Sequence, residues 1–157
     1  MNMGVEQAME RFPIVEVTAE PELEPYWSAA REGRLVLARC SVCGATPWMP
    51  RPFCSTHPRA VVEWIETGGR ATIYSWTTVM KGEGVFKDSS PYVLAVVELE
   101  DGPRILTNVV TGDDEHLCIG QPVSAVFDHR AAGGSILRFI TDDARTGTPL
   151  AGAQHGN

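Results

Sequence analysis

The chain is poor in lysine: Lys81 and Lys87 are the only two, and the formal net charge is −7. Neutralising phosphates supplies most non-specific nucleic-acid affinity, and anionic lipid surfaces ask for the same basic surplus. Nucleic acid is therefore an unfavoured partner. No apolar run approaches the roughly 18 residues that span a bilayer, so no membrane segment is expected. No Gly-x-Ser-x-Gly turn is present, and "GEG" at 82–84 is too short to cradle a phosphate and opens no helix. There is no internal repeat. The opening "MNMGVEQAMERFPIVEV" lacks the basic start and apolar stretch of a secretory signal. The expected compartment is the reducing cytoplasm, where clustered cysteines read as metal ligands rather than disulfides.

Such a cluster is present. Three of the four cysteines fall in "CSVCGATPWMPRPFCSTHP", with the spacing Cys40-x2-Cys43-x10-Cys54-x2-His57. Zinc takes four tetrahedral ligands from thiolate and imidazole, and two x2 hooks supply that geometry. Gly44 follows the second cysteine, where a left-handed residue closes such a loop. Three prolines stiffen the crossing between the hooks. With neutral His57 as fourth ligand the site is closed and structural, formally −1. With His57 free it is open to water, as catalytic zinc requires. Cys118 and His116 are too sparse for a second site, and Cys118 is expected as a small buried apolar residue.

Around the hooks the pattern is mainly β, behind an N-terminal helix. Leu23, Tyr26, Trp27 and Ala30 share one face of a helix over 21–33, with Gly33 at its C-cap. "RLVLAR" (34–39) leads as a strand into Cys40. Strands are then expected at 61–66, 70–80, 92–100, 104–110, 122–129 and 135–140, separated by turn residues. The last five, with a helix-like insertion before the fourth of them, fit a closed OB-type barrel. The segments are an N-terminal helical stretch (1–33), a zinc ribbon (34–66), a barrel (67–141) and a disordered tail (142–157).

Charge is uneven. Residues 1–32 and 71–157 each carry a net of −5, and 33–70 a net of +3. Arg34, Arg39, Arg51 and Arg59 could meet phosphates or acidic patches of a partner. Tyr74 and Trp76 alternate onto one face of strand 70–80, Ile73, Ser75 and Thr77 onto the other. Aromatics so placed either stack on a base or fill the barrel. The loop 81–90 holds Lys81, Lys87 and an exposed Phe86, and reads either as an element that orders on a partner or as a plain hairpin loop. Ser75, Thr77 and Thr78 have no histidine near them in sequence, and His129 beside Asp128 reads as a solvated pair. No catalytic residue is assigned.

The order "PYWSAAREGRLVLARCSVCG", "PRPFC", "GRATIYSWTTV", "PYVLAVVELEDGPRILTNVV", "IGQPVSAVF" resembles a domain-of-unknown-function family that joins a rubredoxin-like zinc ribbon to an OB-fold. The resemblance covers residues 21–140. That family's last hook is usually a cysteine pair, so His57 departs from it, and some members lack the cysteines, which implies a metal staple rather than a reagent. The resemblance implies a non-catalytic partner of thiolase-fold enzymes, thiolases or the lipid-transfer-like aldolases of steroid side-chain breakdown, that helps hold acyl-CoA. Two other readings stay open: a single-stranded nucleic-acid-binding module, and a stand-alone zinc-dependent acyl-CoA hydrolase or hydratase.

Overall fold

The computed structural model describes residues 3–100, 102–111 and 116–142. Its elements, in chain order, are α1 (Met3–Met9), a 3-10 turn (Pro21–Leu23), α2 (Glu24–Arg31), β1 (Leu35–Cys40), β2 (Val62–Thr67), β3 (Arg70–Val79), a second 3-10 turn (Gly84–Ser89), β4 (Tyr92–Leu99), β5 (Arg104–Val110), β6 (Pro122–Asp128) and β7 (Ile136–Thr141). The expected tail lies, from residue 143 on, outside the described residues. Among the described residues no helix is long and apolar enough to cross a membrane.

β1 and β2 form a two-stranded antiparallel ribbon in which Leu35 faces Thr67 and Cys40 faces Val62. The other five strands close into a barrel in the order β3-β4-β5-β7-β6. Every pairing is antiparallel except β5 with β7, which join through Val109–Phe139 and Val110–Ile140. This mainly β chain, a zinc-ribbon region followed by a closed five-stranded barrel, is the expected OB-type architecture.

Helix α2 follows from its sequence. Tyr26, Trp27 and Ala30 are buried, and Leu23 continues the same stripe from the preceding turn. Gly33 ends the helix at φ 75°, while the amides of Gly33 and Arg34 bond back to the carbonyls of Ala30 and Ala29. The stripe packs on β1 and on the barrel interior together. Tyr26, Trp27, Leu35, Leu37, Ile73, Val97, Ile105 and Phe139 belong to one apolar cluster. The ribbon strand is thus built into the barrel's core, which fixes where the hooks at its end project.

A β-bulge at Tyr74 changes the alternation on β3. Ile73 pairs with Val97 and Ser75 with Val96, so Tyr74 is the extra residue and Trp76 faces the buried Ala95. Tyr74 and Trp76 therefore do not continue a simple alternation: Trp76 shares the side of its buried partner Ala95, yet remains 39% exposed. The helix-like insertion before β6 is not seen in its described part. Residues 116–121 form a turn, and the rest lies outside the described residues. There Leu117 takes the buried position and Cys118 is exposed, its amide bonded to the Gln121 side chain, which corrects the expectation of a buried Cys118.

Asp128 is not a solvated neighbour of His129 either. It is 4% exposed and accepts hydrogen bonds from the Arg130 amide and guanidinium, with Arg138 Nε 3.5 Å from its Oδ2. Arg138 is 2% exposed, donates to Asn108 Oδ1 at 2.6 Å and lies 4.0 Å over the Phe12 ring. Arg130 also donates to the carbonyls of Met9 and Phe12. Two cations around one buried carboxylate, Arg138 buried and Arg130 half-buried, tie the N-terminal segment to β6 and β7.

Burial alone would raise the Asp128 carboxyl pKa, but the bonds from Arg130 and the Arg138 charge outweigh it and hold it below the ordinary value. This stabilisation is complete above the unfolded-state pKa of about 3.9 and disappears as pH falls through the lower folded-state value. Asp128→Asn should cost about 3 kcal/mol at pH 7, because it leaves Arg138 buried beside a neutral group. Urea unfolding at pH 7 and in acid checks this: the wild type should lose more stability on acidification than the variant, and equal losses contradict the assignment.

Candidate metal centre and contact surfaces

The first hook grows from the end of β1. Gly44, at φ 70°, donates to the Cys40 carbonyl at 2.9 Å, and Cys40 donates to the Ala45 carbonyl at 3.0 Å, which closes a tight knuckle. Ser41 bonds to the Val61 carbonyl and fastens the knuckle to the start of β2. The second hook is closed by Ala60 donating to the His57 carbonyl. Cys40 and Cys54 are buried, His57 is half-buried and Cys43 is exposed.

The four donor atoms lie within 4.8 Å of one another. Cys43 Sγ to Cys54 Sγ is 3.7 Å, and His57 Nδ1 is 3.8 Å from Cys54 Sγ and 4.0 Å from Cys40 Sγ. Bonds of about 2.3 Å to sulfur and 2.0 Å to nitrogen make tetrahedron edges of roughly 3.5–3.8 Å. These three separations match the edges of a tetrahedral site to within a few tenths of an ångström. With His57 contributing Nδ1, a bound ion would have four protein donors.

The knuckle favours the thiolate at one of its two cysteines. Backbone amides of Cys43 and Val42 aimed at the Cys40 sulfur outweigh its burial and pull the thiol pKa down to about 6. For Cys43 the Ala45 amide acts in the same direction, but desolvation and the neighbouring thiolate win and the pKa rises. A bound cation removes that mutual repulsion.

The other expected contact residues fall in three places. Arg51 and Arg59 lie exposed on the hooks, and Arg51 lines a shallow pocket of about 80 Å³ with Phe53, Ser55 and Thr56. Arg34 and Arg39 are instead held by carboxylates, Arg34 by Glu32 and Glu66, Arg39 by Glu63. Tyr74 sits under the Arg104 guanidinium, 3.6 Å from its ring centre. Lys81, Phe86 and Lys87 belong to the β3–β4 connection, where both lysines are exposed. Phe86 is half-buried, not exposed. It packs 5.4 Å from Tyr92 in a cluster that includes Met9 and Phe12 of the N-terminal segment. His129 Nδ1 lies 2.9 Å from Ser135 Oγ, but Ser135 is 3% exposed and Asp128 is committed to arginines, so the three do not form a nucleophile relay.

Sequence reasoning passed over Val42, Met49, Phe53 and Val61, all exposed around the hooks. The available signal was that a short ribbon has too little interior to bury so many apolar side chains.

Cys40→Ser should lose the ion and lower the unfolding midpoint, because coordination free energy is here folding free energy. His57→Cys should retain one zinc per chain and the wild-type midpoint. Elemental analysis and thermal melts with and without chelator check both, and a His57→Cys chain that folds without metal contradicts the four-ligand geometry.

Comparison with known proteins follows this division of the molecule. Residues 27–58 match the family model "ChsH2, rubredoxin-like zinc ribbon domain", and residues 64–128 match "ChsH2, C-terminal OB-fold domain". The chain is 34% identical over 94 residues to a DUF35 domain-containing scaffold protein of Methanocaldococcus jannaschii, covering 59% of this chain and 67% of that one. It is 32% identical over 98 residues to a probable enoyl-CoA hydratase alpha subunit of Thermomonospora curvata, covering 62% of this chain and only 30% of that subunit. Among solved structures, a chain of the Ltp2-ChsH2(DUF35) aldolase superposes with a TM-score of 0.67 at 25% identity, over 80% of this chain and 98% of that one. The chain belongs to the DUF35 family, and carries that family's ChsH2-type zinc ribbon, with a Cys3His group, joined to an OB-fold domain.

Proposed function

We propose that this protein is a non-catalytic scaffold subunit that docks on a thiolase-fold enzyme, a thiolase or an aldolase, and helps position its acyl-CoA. The observation that carries the reading is the likeness to the chain of the Ltp2-ChsH2(DUF35) aldolase, 98% of whose length is covered. The relative named as an enoyl-CoA hydratase alpha subunit supports a CoA thioester as the compound handled, and we place the protein in lipid, steroid or aromatic acyl-CoA metabolism. The metal held by Cys40, Cys43, Cys54 and His57 is a structural zinc. When bound it supplies rigidity, and the residues of this chain do the contacting: Arg51 and Arg59 on the ribbon, Lys81 and Lys87 on the β3–β4 connection, and the exposed Trp76 on β3.

The nucleic-acid reading is weakened by the net charge and by the Tyr74 ring, one face of which Arg104 already covers. A stand-alone hydrolase needs an open metal position, whereas four donor atoms here converge on one point.

Co-expression with a thiolase-fold enzyme of the same organism should yield one complex on size exclusion. The purified subunit should turn over no acyl-CoA, and its addition should raise the partner's activity on acyl-CoA. Two separately eluting proteins, each fully active, contradict the proposal.

A further inference from the structure

The ribbon tip is chemically unlike the rest of the molecule. From residue 33 to residue 62 there is no Asp or Glu, in a chain of net charge −7. Arg34 and Arg39, at the base, are neutralised by Glu32, Glu66 and Glu63. Arg51 and Arg59, at the tip, pair with no described carboxylate. Beside them Val42 is 65%, Phe53 50% and Val61 70% exposed, and Met49 is also open to solvent.

Exposed Phe and Met with unpaired Arg, free of Lys, Glu and Asp, is the composition of a protein-interface core rather than of ordinary surface. The tip is also stiff. Four converging ligands and Pro47, Pro50, Pro52 and Pro58 restrict the loops, so little conformational entropy remains to be lost on docking.

We infer that the tip formed by Val42, Met49, Arg51, Phe53, Arg59 and Val61 is the face by which this subunit docks, and that its occupant is an apolar depression rimmed by carboxylates on the partner enzyme. Cationic side chains flanking exposed apolar ones select that chemistry. A second copy of this chain is disfavoured, since two bodies of net charge −7 repel. The inference rests on the scaffold reading above and adds to it the surface and the character of the partner's site.

The test uses the zinc-loaded full chain and the thiolase-fold enzyme of the same organism that co-purifies with it, by titration calorimetry at low and high salt. Arg51→Glu with Arg59→Glu should weaken binding on the order of 100-fold, and Phe53→Ala about 10-fold. The salt dependence should fall in the doubly charge-reversed chain. Leu106→Ala, an exposed apolar position on the barrel, should bind as wild type. Zinc content and melting midpoint are read for each variant, and Arg51→Gln with Arg59→Gln replaces the reversal if that chain does not load zinc. Wild-type affinity in the ribbon variants, with the complex intact, overturns this inference and leaves the scaffold reading standing. Absence of any complex with wild type removes both. Binding of phosphatidylglycerol vesicles through Arg51 and Arg59, with no protein complex, overturns it in favour of a lipid occupant.

Discussion

Residues 41–61 form no helix or strand, and what holds them is the convergence of Cys40, Cys43, Cys54 and His57 on a single point. The segment has little buried apolar surface of its own. Within it, Pro50 and Cys54 are the well-buried side chains, and Cys54 is itself one of the four donors. Without a cation at their centre, three sulfurs and an imidazole at contact distance have no strong reason to stay together, and the amide bonds that lower the Cys40 thiol pKa would face an unneutralised group. The shape of the ribbon tip therefore depends on coordination chemistry.

That local constraint reaches the whole molecule through β1. The strand begins in the cluster that also contains Tyr26, Trp27, Ile73 and Phe139, and ends on a metal ligand. Ribbon and barrel are consequently not two beads on a linker. A rigid tip on a rigid barrel can present a surface without rearranging, which suits the scaffold role proposed above. The N-terminal segment adds a second tie, where Arg130 and Arg138 share Asp128 and grip Met9 and Phe12.

Much of this was legible from residue order because periodicity and spacing are local. The stripe of Leu23, Tyr26, Trp27 and Ala30, the glycine after α2, the barrel strands and the two hooks all appear where pattern and turn chemistry put them. What was not legible depends on distant partners. The bulge at Tyr74 is set by the register of β3 against β4, which no alternation rule contains. Asp128 looked solvated because the arginine that buries beside it, Arg138, is ten positions on in another strand. Phe86 looked exposed because Tyr92 and the N-terminal cluster that receive it are invisible from the loop. Cys118 lost the inward position to Leu117, a choice between neighbours that spacing cannot make. At the site, the gathering of three cysteines and His57 was readable and the state of the arginines was not, since only the fold shows that Arg34 and Arg39 have carboxylates beside them while Arg51 and Arg59 have none among the described residues.

X-ray absorption at the zinc edge of the purified full chain tests the central claim most directly, that the metal is a closed clamp in a subunit that acts by holding. The account expects three sulfur neighbours near 2.3 Å and one nitrogen near 2.0 Å, unchanged when acyl-CoA is added. An oxygen neighbour, or a shell that changes with acyl-CoA, would show the metal to be a reagent and would contradict the account.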